Sequence, residues 1–223
     1  IEARDLVFYD LAGRRLRKIS VPTLDDFVLD REGRLFTAPH VQDKSNPAIE
    51  VYDPNGKKTR GFGRTLSFSH SLGTLNARRI AVLPTGEVAV AFVYLPVLRL
   101  YSSRGDLLVE YAVENNIIKA KEAINLKAIG EGIANPARRG LCVKILYAVR
   151  TFGESIFLLS NYPRLEILEM DKGGKAIATC WKDYDEIMMS EDFAVIERDG
   201  ARLFYILRSL PLYGIDVYST ATQ

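Results

Sequence analysis

Histidine, cysteine and tryptophan are scarce in this sequence, with two, two and one copies among 223 residues. A serine triad would need His40 or His70 beside a reactive serine. The segment Ser69-His70-Ser71 lacks the strand–turn–helix setting of a nucleophile elbow, so a triad is not expected. Cys142 and Cys180 are too few for a disulfide framework and have no metal-type spacing. They read as two buried thiols acting as small hydrophobes, with a single bridge between them as the other reading. Long runs are missing too. The longest apolar stretch, Val88 to Leu98, is about half of a membrane span and contains Pro96, so no span is expected. The 30 basic and 28 acidic residues are dispersed without a basic stripe, which argues against a nucleic-acid partner. Gly130-Glu131-Gly132 precedes no lysine–serine pair, so no phosphate-cradling loop is expected.

What the chain has in quantity is apolar sequence and regular punctuation. At 48% hydrophobic residues it can bury a full core, and one domain over residues 1–223 is expected. A four-residue turn ending in glycine occurs eight times, at Gly13, Gly33, Gly56, Gly86, Gly105, Gly153, Gly174 and Gly200. Each turn lies between short runs rich in Val, Ile, Leu, Phe and Tyr, as in a β-hairpin. Two kinds of turn alternate. One joins apolar runs such as Phe27–Asp30 and Arg34–Ala38, read as inner strands A and B. The other follows runs such as Ala48–Tyr52 and leads to more polar ones such as Lys57–Phe62, read as outer strands C and D. The inner-to-outer glycine spacing is 23, 19 and 21 residues (Gly33 to Gly56, Gly86 to Gly105, Gly153 to Gly174). A proline stands between B and C each time, at Pro47, Pro96, Pro163 and Pro211.

Repeats of four short strands, apolar on both faces, must stack to bury themselves, so the expected fold is an all-β propeller of antiparallel four-stranded blades. An insertion near 114–144 carries Ile117, Ala120, Ile124 and Ala128 at helical spacing and is expected to form a helix capping the ring. Residues 5–20 read as C and D without A and B, and residues 193–218 as A, B and C without D. With no initiator Met before Ile1, the expectation is a processed product or a piece lacking upstream blades.

The phrases VFYDLAGRRLRKI, FVLDREGRLFTAP, IEVYDPNGKKTRGFG and LRLYSSRGDLLVEY resemble bacterial six-bladed β-propeller proteins of the NHL-repeat and TolB-like groups. The resemblance implies a six-bladed ring, an extracytoplasmic location and a binding or scaffolding role.

Propellers hold ligands where the D–A and B–C connections surround the central channel. Charges precede the inner strands at Asp26, Arg79 and Asp192, where they can face one another across the channel mouth. The B–C loops add His40, Tyr94, Tyr162 and Arg208, suited to anchoring a peptide or sugar. The expected activity is non-enzymatic binding of a protein, peptide or carbohydrate, with no cofactor and no catalytic or metal-ligating residue assigned. The alternative is a metal-dependent propeller hydrolase or lactonase, for which Asp26 and Asp192 would hold calcium.

Overall fold

A computed structural model describes residues 4–40, 46–67, 73–134, 142–161, 163–183, 189–210 and 213–220. The chain opens with the hairpin β1 (Arg4–Tyr9) and β2 (Arg15–Val21). Three four-stranded antiparallel sheets follow. The first blade is β3 (Leu24–Leu29), β4 (Leu35–Pro39), β5 (Ile49–Tyr52) and β6 (Lys58–Phe62). The second is β7 (Arg78–Val82), β8 (Val88–Phe92), β9 (Val97–Tyr101) and β10 (Leu107–Ala112). After helix α1 (Asn116–Ala134) comes the third, β11 (Ala148–Phe152), β12 (Ser155–Ser160), β13 (Arg164–Met170) and β14 (Ala176–Asp183). The fourth has three strands, β15 (Met189–Arg198), β16 (Ala201–Leu210) and β17 (Gly214–Thr220).

The arrangement is a β-propeller. In each blade the strands pair in chain order, and the innermost strands β3, β7, β11 and β15 lie side by side around the axis. The blade count differs from the six implied by the resemblance. The inner strands begin at Leu24, Arg78, Ala148 and Met189 and define four blades among the described residues. The hairpin β1–β2 has the place of outer strands C and D, and the fourth blade has A, B and C, as the strand pattern anticipates.

Burial follows the alternation of strand kinds. Strands β4, β8 and β12 are buried along almost their whole length, whereas β6, β10 and β14 are largely exposed. The core is divided into seams between successive sheets. Ile19 and Val21 meet Leu35 and Tyr52; Phe36 and Val51 meet Ile80 and Val90; Ala89 and Leu98 meet Ile156 and Leu158; Phe157 and Ile167 meet Phe193 and Phe204.

All eight turn glycines have positive φ, the conformation that a side chain resists. Two of the eight turns differ from the four-residue form. Phe152 pairs with Ser155, and Arg198 pairs with Ala201, so Gly153-Glu154 and Asp199-Gly200 are two-residue loops. Asp199 and Gly200 both have positive φ, as a type I′ turn requires.

At Gly105 and Gly174 a second constraint acts. A Cβ on Gly105 would stand 2.7 Å from the Phe62 ring, and one on Gly174 would stand 2.7 Å from the Tyr111 ring. Each outer turn is thus seated on an aromatic ring from the preceding blade. Arg60 adds a polar latch there, donating from Nη1 to the Arg104 carbonyl (2.9 Å) and from Nη2 to that of Ser103 (2.5 Å).

Candidate functional site

The upper end of the axis, where the inner strands begin and the B–C loops converge, collects most of the residues singled out from the sequence. Asp26, on β3, is tied into the fold: its Oδ1 accepts the Phe27 amide (2.9 Å) and its Oδ2 the Ile80 amide of the second blade (3.0 Å). Burial raises its pKa above the usual carboxylate value, opposed by the Ile80 amide and the Arg150 and Arg79 charges. Asp192, on β15, accepts the Phe193 amide at Oδ1 (2.7 Å) and pairs through Oδ2 with Arg150. Both carboxylates are therefore engaged in joining strands.

Arginines stitch the inner strands together. Arg150, on β11, donates from Nε to the Phe193 carbonyl (3.1 Å) and from Nη1 to that of Val149 (2.7 Å). Arg79, on β7, reaches both neighbours: Nη1 donates to the Asp25 carbonyl (2.6 Å) and Nε to the Tyr147 carbonyl (2.8 Å). Arg78, beside it, is fully buried and donates from Nη1 to the Asn76 carbonyl (2.5 Å) and from Nη2 to that of Pro39. Burial lowers the pKa of Arg78 to about 10, with Asp25 acting in the other direction.

His40 pairs through Nδ1 with Asp25 Oδ1 at 2.9 Å, so a B–C loop is bound to the start of an inner strand. Tyr94 stands near Arg79, Asp25 and Cys142, and its pKa is raised mainly by burial. Arg208 turns back across its own sheet to an ion pair with Asp216 (3.1 Å) and is not brought into this group. Tyr162, His70 and Pro211 lie outside the described residues.

Three further contributors were not expected at the mouth from sequence. The Tyr147 phenol lies near Tyr94 and Glu191, its pKa raised mainly by burial. Lys144 holds its ammonium 5.4 Å from the Tyr147 ring centroid and 3.6 Å from Glu191. Cys142 is partly exposed, and burial raises its thiol pKa. Cys142 and Cys180 are both free thiols, so the single-bridge reading does not hold. The signal available for the missed residues was only that they precede the inner strand β11; Asp26, Arg79 and Asp192, expected just before their inner strands, lie within them.

The helix serves this mouth. Asn115 caps it, its Oδ1 accepting the Ile118 amide (2.7 Å). The stripe expected to pack does so only in part: Ile117 and Ala128 are half-buried and Ala120 and Ile124 exposed, while the fully buried positions are Ile118, Lys121 and Asn125. The reason is polar. The helix lies on loop carbonyls, which require donors rather than methyl groups. Asn125 Nδ2 donates to the Tyr94 (2.7 Å) and Val143 (2.8 Å) carbonyls, and its Oδ1 accepts the Val143 amide (2.8 Å). Lys121 Nζ donates to Ser160 Oγ (3.1 Å) and to the Asn161 carbonyl, and burial lowers its pKa to about 8.

Two open clefts lie elsewhere. One of about 640 Å³ is bordered by Pro47, Lys58, Phe62 and Arg64. The other, of about 530 Å³, lies among the lower inner turns, bordered by Asp30, Arg34, Leu83, Thr85 and Thr151. Neither contains the residues of the upper mouth. Among the described residues no three His, Cys, Asp or Glu side chains are gathered as a metal site, and no helix is long and apolar enough to cross a membrane.

No family model matches the sequence, and no curated protein matches it. Solved structures do. Sqt1 from Saccharomyces cerevisiae is 11% identical with a TM-score of 0.57, over 91% of this chain and 50% of that one. A streptogramin B lyase is 15% identical with a TM-score of 0.54, over 98% and 62%. BBS1N, in complex with ARL6DN, is 10% identical with a TM-score of 0.52, over 98% and 59%. The chain thus spans between half and two thirds of the length of these proteins. At such identities the likeness is one of fold, and the fold that these neighbours share with this chain is the β-propeller.

Proposed function

We propose that this chain is a non-enzymatic binding or scaffolding propeller whose upper mouth takes up a protein, peptide or carbohydrate ligand. The observation that supports this reading is the division of labour at the mouth. The carboxylates a hydrolase would need for a cation, Asp26 and Asp192, are occupied by backbone amides and Arg150. The aromatic groups Tyr94 and Tyr147, by contrast, stand at the mouth half-buried and 9% exposed, respectively. Aromatic groups with a polar tip are good contact anchors. The fold itself leaves the question open, because it is shared by a chain in complex with a protein, BBS1N with ARL6DN, and by a lyase. Kinship with the bacterial NHL-repeat and TolB-like propellers, and an extracytoplasmic location, belong to the same reading and rest on the strand phrases.

Thermal unfolding tests it. A ligand that prefers the native state raises the midpoint, so the midpoint is expected to rise with members of a peptide and sugar panel and to be indifferent to EDTA and millimolar calcium. A rise with calcium that Asp26→Ala abolishes would overturn the reading in favour of the metal-dependent hydrolase.

A further inference from the structure

Arg79 and Arg150 occupy corresponding places on neighbouring blades, and the difference between them defines a ligand chemistry. Each sends Nε to a carbonyl of the next blade, Tyr147 for Arg79 and Phe193 for Arg150. Each also directs Nη1 at the carbonyl of its own preceding residue, at 3.5 Å for Arg79 and 2.7 Å for Arg150. They part at Nη2. That of Arg150 is neutralised by Asp192, the residue before the accepting Phe193. The residue before Tyr147 is Leu146, which is buried and has no charge to offer. Arg79 Nη2 accordingly has no acceptor among the described residues, and none of their carboxylates lies within ion-pairing distance of it.

This guanidinium is half-buried and held in one orientation by two blades, Nη1 on Asp25 and Nε on Tyr147. A fixed, half-buried guanidinium with no carboxylate of the described residues in ion-pairing contact favours an oxyanion partner, and a carboxylate matches its geometry. The Tyr94 hydroxyl beside it is a donor as well. Tyr94 is close enough to feel the Arg79 charge, and Tyr147 is joined to Arg79 through its carbonyl. Lys144, paired with Glu191, lies over the Tyr147 ring.

We propose that Arg79 Nη2, with Tyr94 beside it, binds a carboxylate of the ligand, so that the ligand class is carboxylate-bearing: a peptide terminus or a sugar acid. The inference rests on the binding-module reading and narrows it. In effect the ligand supplies to Arg79 what Asp192 supplies to Arg150.

The test is titration calorimetry, with thermal unfolding in parallel, using N-acetylglycine against N-acetylglycinamide and glucuronate against glucose. Wild-type protein is expected to bind at least one acid ten-fold or more tightly than its neutral counterpart, and which acid does so identifies the source. Arg79→Gln is expected to remove that preference. Because Arg79 also joins blades, Tyr94→Phe provides a second reading in an intact scaffold, with a several-fold loss for the acid alone. Arg60→Gln on the outer rim is expected to bind like wild type. Equal binding of acid and neutral probe, or wild-type acid binding by a folded Arg79→Gln protein, overturns the carboxylate assignment while leaving the binding module standing. Failure of all four probes to bind counts against both.

Discussion

The seam between the second and third blades and the outer face of the fourth are built from the same kinds of strand, yet they meet different surroundings. In the seam, Leu98, Ile156 and Leu158 are fully buried, and the outer turn at Gly174 is seated on Tyr111. On the fourth blade, Phe204 and Ile206 are buried against the third, while Leu207, Ile215 and Val217 on the opposite face are exposed. A blade's two-sided apolar character is therefore a property of the blade, not of what covers it. Stability should be concentrated where both faces are covered, and substitutions can test that gradient.

The largest effect is expected at the seated turns. Gly105→Val combines a side chain at φ +98° with a Cβ against the Phe62 ring, and strain plus overpacking costs about 4 kcal/mol. In a thermal melt that is a loss of roughly 10 °C. Gly13→Ala meets nothing within 4 Å at φ +76° and should cost only about 1 kcal/mol. Equal losses at the two positions would refute the seating. Next comes the contrast of Leu158→Ala with Leu207→Ala, at 0% and 43% exposure. About 3 kcal/mol is expected for the first and less than about 0.5 kcal/mol for the second, measured by urea unfolding.

Smaller again is the effect of Arg60→Ala, which removes two exposed hydrogen bonds to the next blade and should cost about 0.5–1 kcal/mol. The last test is one of pH. Burial lowers the pKa of Lys121 to about 8 from 10.5, so between those values the unfolded chain retains a proton that the folded one has released. Stability should rise as pH climbs from 8 towards 10.5, and Lys121→Met should flatten that rise.

The blades were legible in the sequence because hairpins are written locally. Glycine at a forced positive φ, apolar alternation and a proline before strand C are signals within a few residues of one another, and the strands fell close to where they were expected. What eluded the sequence is relational. The helix was anticipated, but its packing stripe was misread in part, because Lys121 and Asn125 look like solvent residues until loop carbonyls are placed beneath them. The charges at Asp26, Arg79 and Asp192 were expected to face one another across the channel mouth, yet pattern alone could not tell that all three join blades, or that Arg79 Nη2 has no acceptor among the described residues. Tyr147 and Lys144 carried no signal beyond their position before β11. The six-bladed expectation came from resemblance of strand phrases, and such phrases describe one blade at a time.

The helix that departs from the strand repeat acts as a brace across a joint. It is anchored to the Tyr94 loop of the second blade through Asn125 and to the Ser160–Asn161 loop of the third through Lys121. Rotation of one blade against the other must stretch those bonds, so the aperture between Tyr94 and Tyr147 is held at one width, and a ligand there meets a rigid gauge rather than a closing jaw.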